Sequence, residues 1–196
     1  MKRNSLNSIP RPRLSLICSE AVATKPEKPE ELTRGTYLWF GSCLNLWGIL
    51  MDLEERVTRI EDLESIKQLK ARYCEICDDD HNPGLITSIF TPDAVWEGEG
   101  IGRAQGHGEI RTLFEGFQKA IKFSQHMVQN PIIEIDGPTA LGRWYFFGTF
   151  KYYKGDQARW QAARYHEKYQ KLEGDWFINH LKVMPPVMSV KYENGW

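Results

Sequence analysis

Asp78, Asp79 and Asp80 stand side by side in "CDDDH", with His81 next to them, and a further histidine, His126, lies far along the chain in "SQHMVQN". Adjacent carboxylates repel one another, so a helix end that only needs to be solvated has little reason to group three. The cluster can be read as a polar terminus, as metal ligands, or as the orienting half of an acid–base pair. The last reading needs an imidazole opposite. A carboxylate bonded to one ring nitrogen selects the tautomer and leaves the other nitrogen to act as a general base. Acids at a helix C-terminus also oppose the helix dipole, which tilts the balance towards function.

The other candidates for chemistry are weaker. His81 falls in a turn and is expected in solvent, His107 precedes a helix, and His166 and His180 sit on strands in charged company. Their spacing forms no metal motif, and no metal is expected. Cys74 and Cys77 make a lone CxxC late in a helix, where the dipole does not favour a thiolate, so they read as packing thiols. "GEGIGRAQG" lacks the spacing of a phosphate-binding loop, and no organic cofactor is expected.

The elements that must position these groups follow from periodicity. From Met51, Leu53, Val57, Ile60, Leu63, Ile66, Leu69, Tyr73 and Ile76 recur every three or four residues, the stripe of one long helix or of two joined near Glu61. Pro83 and Gly84 stop it. "LITSIF" reads as a helical turn, "TPD" as a turn, "AVWEGEG" as a strand and "GHGEIRTLFEGFQKAI" as a second amphipathic helix. Four long β-rich runs follow, separated by "GP" and two "GD" turns, which predicts antiparallel hairpins. Helices first and a meander afterwards is α+β segregation. Along "SQHMVQN", alternation puts His126, Val128 and Asn130 on one face.

The 196 residues suit one domain of ordinary composition, 41% hydrophobic and 26% charged. A net charge of −1 with dispersed Lys and Arg argues against nucleic acid. Residues 1–50 read as a disordered extension or as an over-extended start ahead of Met51. Their apolar stretch "TYLWFGSCLNLWGIL" is shorter than the roughly 20 residues a membrane span needs. No disulfide framework is implied, so a cytoplasmic location is expected.

"IEDLESIKQLKARY", "FTPDA", "HMVQNP" and "TALGRWY" together resemble the SnoaL-like branch of the nuclear transport factor 2-like (NTF2-like) superfamily, over roughly residues 51–184, with 185–196 as a tail. Within it the chain is similar to bile-acid 7α-dehydratase and, more distantly, to scytalone dehydratase and hexachlorocyclohexane dehydrochlorinase. The resemblance implies a curved sheet wrapped around N-terminal helices with an internal pocket. It further implies a His–Asp pair, carried over to His126 with either Asp78 or Asp79, and a tyrosine at Tyr73. Counting from Tyr73 gives Asp78 and counting back from "FTPDA" gives Asp79, the preferred partner. Trp96, Phe123, Trp144 and Phe146 are expected to line the pocket with Val128 and Asn130. The acid that follows "GRWY" in the bile-acid enzyme is replaced here by Phe146, Phe147 and Gly148, which argues against bile acid itself. The expected activity is a cofactor-free lyase or isomerase on a small hydrophobic ring compound, in a homodimer or homotrimer. The alternative is a non-catalytic ligand-binding module, or a structural subunit like a dioxygenase β chain.

Overall fold

The computed structural model describes residues 52–193, and the expectations for residues 1–50 lie outside them. The described chain opens with α1 (Leu53–Asp78), one continuous helix with no break near Glu61. It starts in a capping box. The Glu55 N–H donates to the Asp52 carboxylate at 2.9 Å, and the Asp52 N–H donates to Glu55 at 3.2 Å. The apolar stripe divides in two. Leu53, Val57 and Ile60 are exposed, whereas Ile66, Tyr73 and Ile76 are buried together with Lys70, Cys74 and Cys77.

After α1 the chain reverses through Asp80 and His81, both at positive φ (57° and 50°). A 3-10 turn (Ile86–Ile89) leads into β1 (Phe90–Gly98), which absorbs the expected "TPD" turn. A short strand not foreseen in the sequence, β2 (Gly102–Gln105), precedes α2 (Gly106–Ala120). Then come β3 (Ile121–Asp136), β4 (Thr139–Tyr152), β5 (Ala158–Leu172) and β6 (Asp175–Tyr192). β6 therefore runs through most of the segment expected to be a tail.

The six strands form one mixed, curved sheet in the order β2-β1-β6-β5-β4-β3, antiparallel except for the β1–β6 pair. α1 and α2 pack against it, and a single apolar cluster joins them, with Ile66, Ile86, Ile110, Phe114, Ile178 and Leu181 fully buried. Burial of each such side chain contributes about 1.5–3 kcal/mol. Two irregularities interrupt the β3–β4 ladder, one between Ile121 and Phe123 and one between Gln129 and Ile132. Each inserts an extra residue in β3 and exchanges its inward and outward faces. Between them, Ser124, His126 and Val128 point inward. Among the described residues no helix is long and apolar enough to cross a membrane.

Candidate active site

The end of α1 meets the middle of β3. The Ser124 hydroxyl donates to the Cys77 carbonyl at 3.0 Å, tying the strand to the last helical turn. Two residues on, the Asp78 carboxylate accepts the His126 backbone N–H at 2.9 and 3.1 Å and meets His126 Nδ1 at 2.6 Å. One carboxylate thus fixes both the backbone and the ring of His126. The His126 side chain is 6% exposed, whereas that of Asp78 is 28% exposed and keeps contact with water. This contact selects the tautomer with hydrogen on Nδ1 and leaves Nε2 as the ring's acceptor.

Asp79, the preferred partner on sequence grounds, is not the one brought to His126. Asp78 follows Cys74 by four residues and Cys77 by one, so it borders the buried face of α1. Asp79 lies about 200° round the helix from Cys77. It is exposed, occupies the C-cap and sits 3.5 Å from the Asn82 amide. Asp80 accepts from Gln118 of α2 at 2.8 Å.

His126 belongs to the wall of a cavity of about 440 Å³ between α1, α2 and the sheet, lined by Tyr73, Cys77, His81, Trp96, Phe114, Phe117, His126, Phe146, Phe150 and Tyr165 among others. That volume lies in the range of small-molecule sites. Phe146 and Phe150 flank His126, with ring centroids 5.1 and 5.2 Å away. Gly148 pairs with His126 across the ladder, and a Cβ there would stand 2.6 Å from the Gln125 carbonyl and 2.8 Å from the Phe146 ring. Glycine at this position lets the Phe146 ring lie beside the histidine. The mouth is more polar, with Gln161 donating to the Tyr152 hydroxyl at 2.6 Å and Ser189 close by.

The Tyr73 hydroxyl reaches the cavity but is already engaged. It accepts from the Trp96 indole at 3.0 Å. Burial pushes Tyr73 well above the ordinary phenol range, and Cys77 well above the ordinary thiol range, so both keep their protons. Contrary to expectation, His81 is buried, at 5% exposure, and its ring centroid is 6.0 Å from that of His126. Burial, helped by the nearby His126, pushes it down to about 4, so it is neutral at physiological pH.

Other expected pocket residues lie elsewhere. Phe123 is 47% exposed, being an odd number of residues from His126 and therefore on the outer face. Asn130 is exposed at φ 51° in the second irregularity, ahead of Pro131, where alternation from His126 no longer holds. Val128 points inward but packs on the core rather than on the cavity. Trp144 is buried below the cavity floor, where its indole donates to the Tyr169 hydroxyl at 2.9 Å. Of the expected substrate contacts, Trp96 and Phe146 line the cavity.

Beneath the floor runs a charged network absent from the sequence expectations. Lys70 Nζ contacts the Glu167 carboxylate at 2.5 Å, with both side chains fully buried. Tyr169 donates to the same carboxylate. The Lys70 ammonium stands 3.6 Å from the centre of the Tyr165 ring and 4.4 Å from that of Tyr73. The signal was present in the sequence, since Lys70 lies within the stripe Ile66, Tyr73, Cys74, Cys77. Glu167 likewise alternates with Tyr165 and Tyr169.

N-terminal helices packed on a curved mixed sheet, with a His–Asp contact on an apolar internal cavity, define an NTF2-like α+β fold. The family model described as SnoaL-like domain matches residues 58–182, and the chain belongs to that family. Among solved structures it is similar to a hexachlorocyclohexane dehydrochlorinase of type 2, at 21% identity and a TM-score of 0.66, over 70% of this chain and 93% of that one. A scytalone dehydratase candidate from Novosphingobium aromaticivorans matches at 18% identity and TM-score 0.64, over 70% and 91%. A candidate aromatic ring hydroxylase from the same organism matches at 26% identity and TM-score 0.61, over 67% and 94%.

Proposed function

We propose that the protein is a cofactor-independent lyase or isomerase that acts on a small hydrophobic ring compound, with His126 as general base and Asp78 as its orienting partner. The observation that carries this reading is the 2.6 Å contact between Asp78 and His126 Nδ1, on the wall of a mostly aromatic cavity. In an elimination, Nε2 takes the proton from a C–H next to the leaving group. The C–H electron pair becomes the new C=C bond, and the C–O or C–halogen pair departs with the leaving group. A leaving hydroxyl takes the proton back from Nε2 and departs as water. A leaving halide departs as the anion, and the proton passes to solvent. Asp78 stabilises the imidazolium in between without itself becoming protonated. Tyr73, whose hydroxyl accepts from Trp96 on the cavity wall, can donate its O–H to a developing oxyanion in an assisting role.

The likeness to a dehydrochlorinase and to a dehydratase candidate supports elimination over other chemistry on this fold. The test is a panel of cyclic alcohols, β-hydroxy ketones and halogenated rings, assayed for loss of water or halide. Asp78→Asn and His126→Ala should each lower kcat/KM by about 10²–10⁴-fold, the usual worth of a positioned general base. Asp79→Asn should stay near wild type. No turnover across the panel, or equal losses in the two aspartate variants, would overturn the reading. A second reading, a non-catalytic subunit that packs through its sheet, is favoured by the exposed Phe123, Met127, Leu141 and Tyr145 on β3 and β4.

A further inference from the structure

We propose that Cys77, His81 and His126 form a binding site for a borderline-soft divalent cation, with Zn²⁺ as its representative, on the wall of the cavity. A ligand atom from each of the three lies within 4.8 Å of the others. Tetrahedral zinc with sulfur at about 2.3 Å and nitrogen at about 2.0 Å holds its ligands roughly 3.5 Å apart, so each side chain must close in by about 1 Å or less. One thiolate and two imidazoles select such an ion over Mg²⁺ or Ca²⁺. Three protein ligands also leave a fourth position open to the cavity.

Four further observations point the same way. His81 is aimed inward by two successive non-glycine residues at positive φ, a conformation that only a surrounding fold maintains. His81 is 5% exposed and lines the cavity, and the hydrogen bonds among the described residues include none to its ring nitrogens. Asp78 holds His126 by Nδ1, so Nε2 is the nitrogen offered to an ion, in the carboxylate–histidine–metal arrangement common to zinc sites. Finally, among the described residues no lysine or arginine lines the cavity to repel a cation.

Binding forms one metal–sulfur and two metal–nitrogen bonds, and the Cys77 proton leaves for solvent. A dipositive ion with one thiolate and the Asp78 carboxylate leaves no net charge. The bound ion occupies the lone pair that proton abstraction needs, so loading would switch off the general base; this consequence, unlike the binding, rests on the lyase reading.

The full chain, stripped with a chelator, would be titrated with Co²⁺ and then Zn²⁺ in the absence of any substrate. Expected are one equivalent of Co²⁺ with the strong visible bands of tetrahedral coordination, a thiolate-to-cobalt charge-transfer band, displacement of both by Zn²⁺, and release of a proton. Cys77→Ser should remove the charge-transfer band and Cys74→Ser should keep it. Asp78→Asn should weaken binding about 10–100-fold, as loss of a residue orienting a ligand usually does. A wild-type protein without the charge-transfer band would overturn the proposal whatever the variants do. So would a folded Cys77→Ser, His81→Gln double variant that binds like wild type. No readout uses turnover, so failure here leaves the lyase reading standing, and an inactive substrate panel leaves the metal result standing.

Discussion

Replacing Lys70 by methionine keeps most of the stem and removes the ammonium. It strands Glu167 in a fully buried position with only the Tyr169 hydroxyl as partner. An isolated buried charge retains its full desolvation cost, and breaking such a pair from one side typically destabilises by about 3–5 kcal/mol. The two tyrosine rings beside the ammonium lose their cation contacts as well, each worth about 0.5–2 kcal/mol, part of which the methionine's own packing returns. We therefore expect a loss of about 4 kcal/mol, or a melting temperature lower by about 8–16 °C at the usual 2–4 °C per kcal/mol for a domain of this size. Glu167→Gln should cost a comparable amount. The double variant should be more stable than either single one, since no unpaired charge remains. Urea unfolding followed by tryptophan fluorescence gives all three values. A Lys70→Met cost under about 1 kcal/mol, or a double-variant cost equal to the sum of the singles, would refute the picture of one coupled buried unit.

Three other outcomes follow from packing and burial. Gly148→Ala places a methyl group against the Gln125 carbonyl and the Phe146 ring; a loss of about 1–3 kcal/mol is expected in urea, with reduced cavity binding of apolar dyes as Phe146 is displaced. Burial pushes the Cys74 thiol up to about 11 from an ordinary 9.0. Between those values the unfolded chain loses a proton that the folded chain keeps, so stability should fall as pH rises through that window, and Cys74→Ala should lessen the slope of the urea midpoint against pH. For the same reason the peptide carrying Cys74 and Cys77 should resist iodoacetamide in the native protein at neutral pH and react once urea is added, as peptide mass spectrometry would reveal.

The helix–strand order and the inward face of His126 were legible because each depends on local periodicity. The Ile66–Cys77 stripe repeats at helical spacing, and Ser124, His126 and Val128 alternate within one regular stretch of β3. Errors arise where a tertiary device changes the phase. The irregularity near Gln129 turns Asn130 away, and the positive-φ pair Asp80–His81 returns a histidine to the interior that the turn sequence assigned to solvent. The exposure of Leu53, Val57 and Ile60 shows the converse, since an apolar stripe states what a helix can bury but not whether a surface is there to cover it. Lys70 and Glu167 are not legible from residue type, because charge is ordinarily read as exposure. Their positions within the buried phase of α1 and β5 carried the opposite message. The aspartate ambiguity had its answer in helix geometry, because Asp78 borders the buried face and Asp79 does not.

The central claim is that Asp78, rather than Asp79, orients His126 as a base, and long-range ¹⁵N–¹H NMR of the imidazoles tests it directly. The wild-type protein and Asp79→Asn should both report His126 with hydrogen on Nδ1 and a bare Nε2, whereas Asp78→Asn should lose that preference. The same tautomer in wild type and Asp78→Asn, or a change confined to Asp79→Asn, would contradict the account.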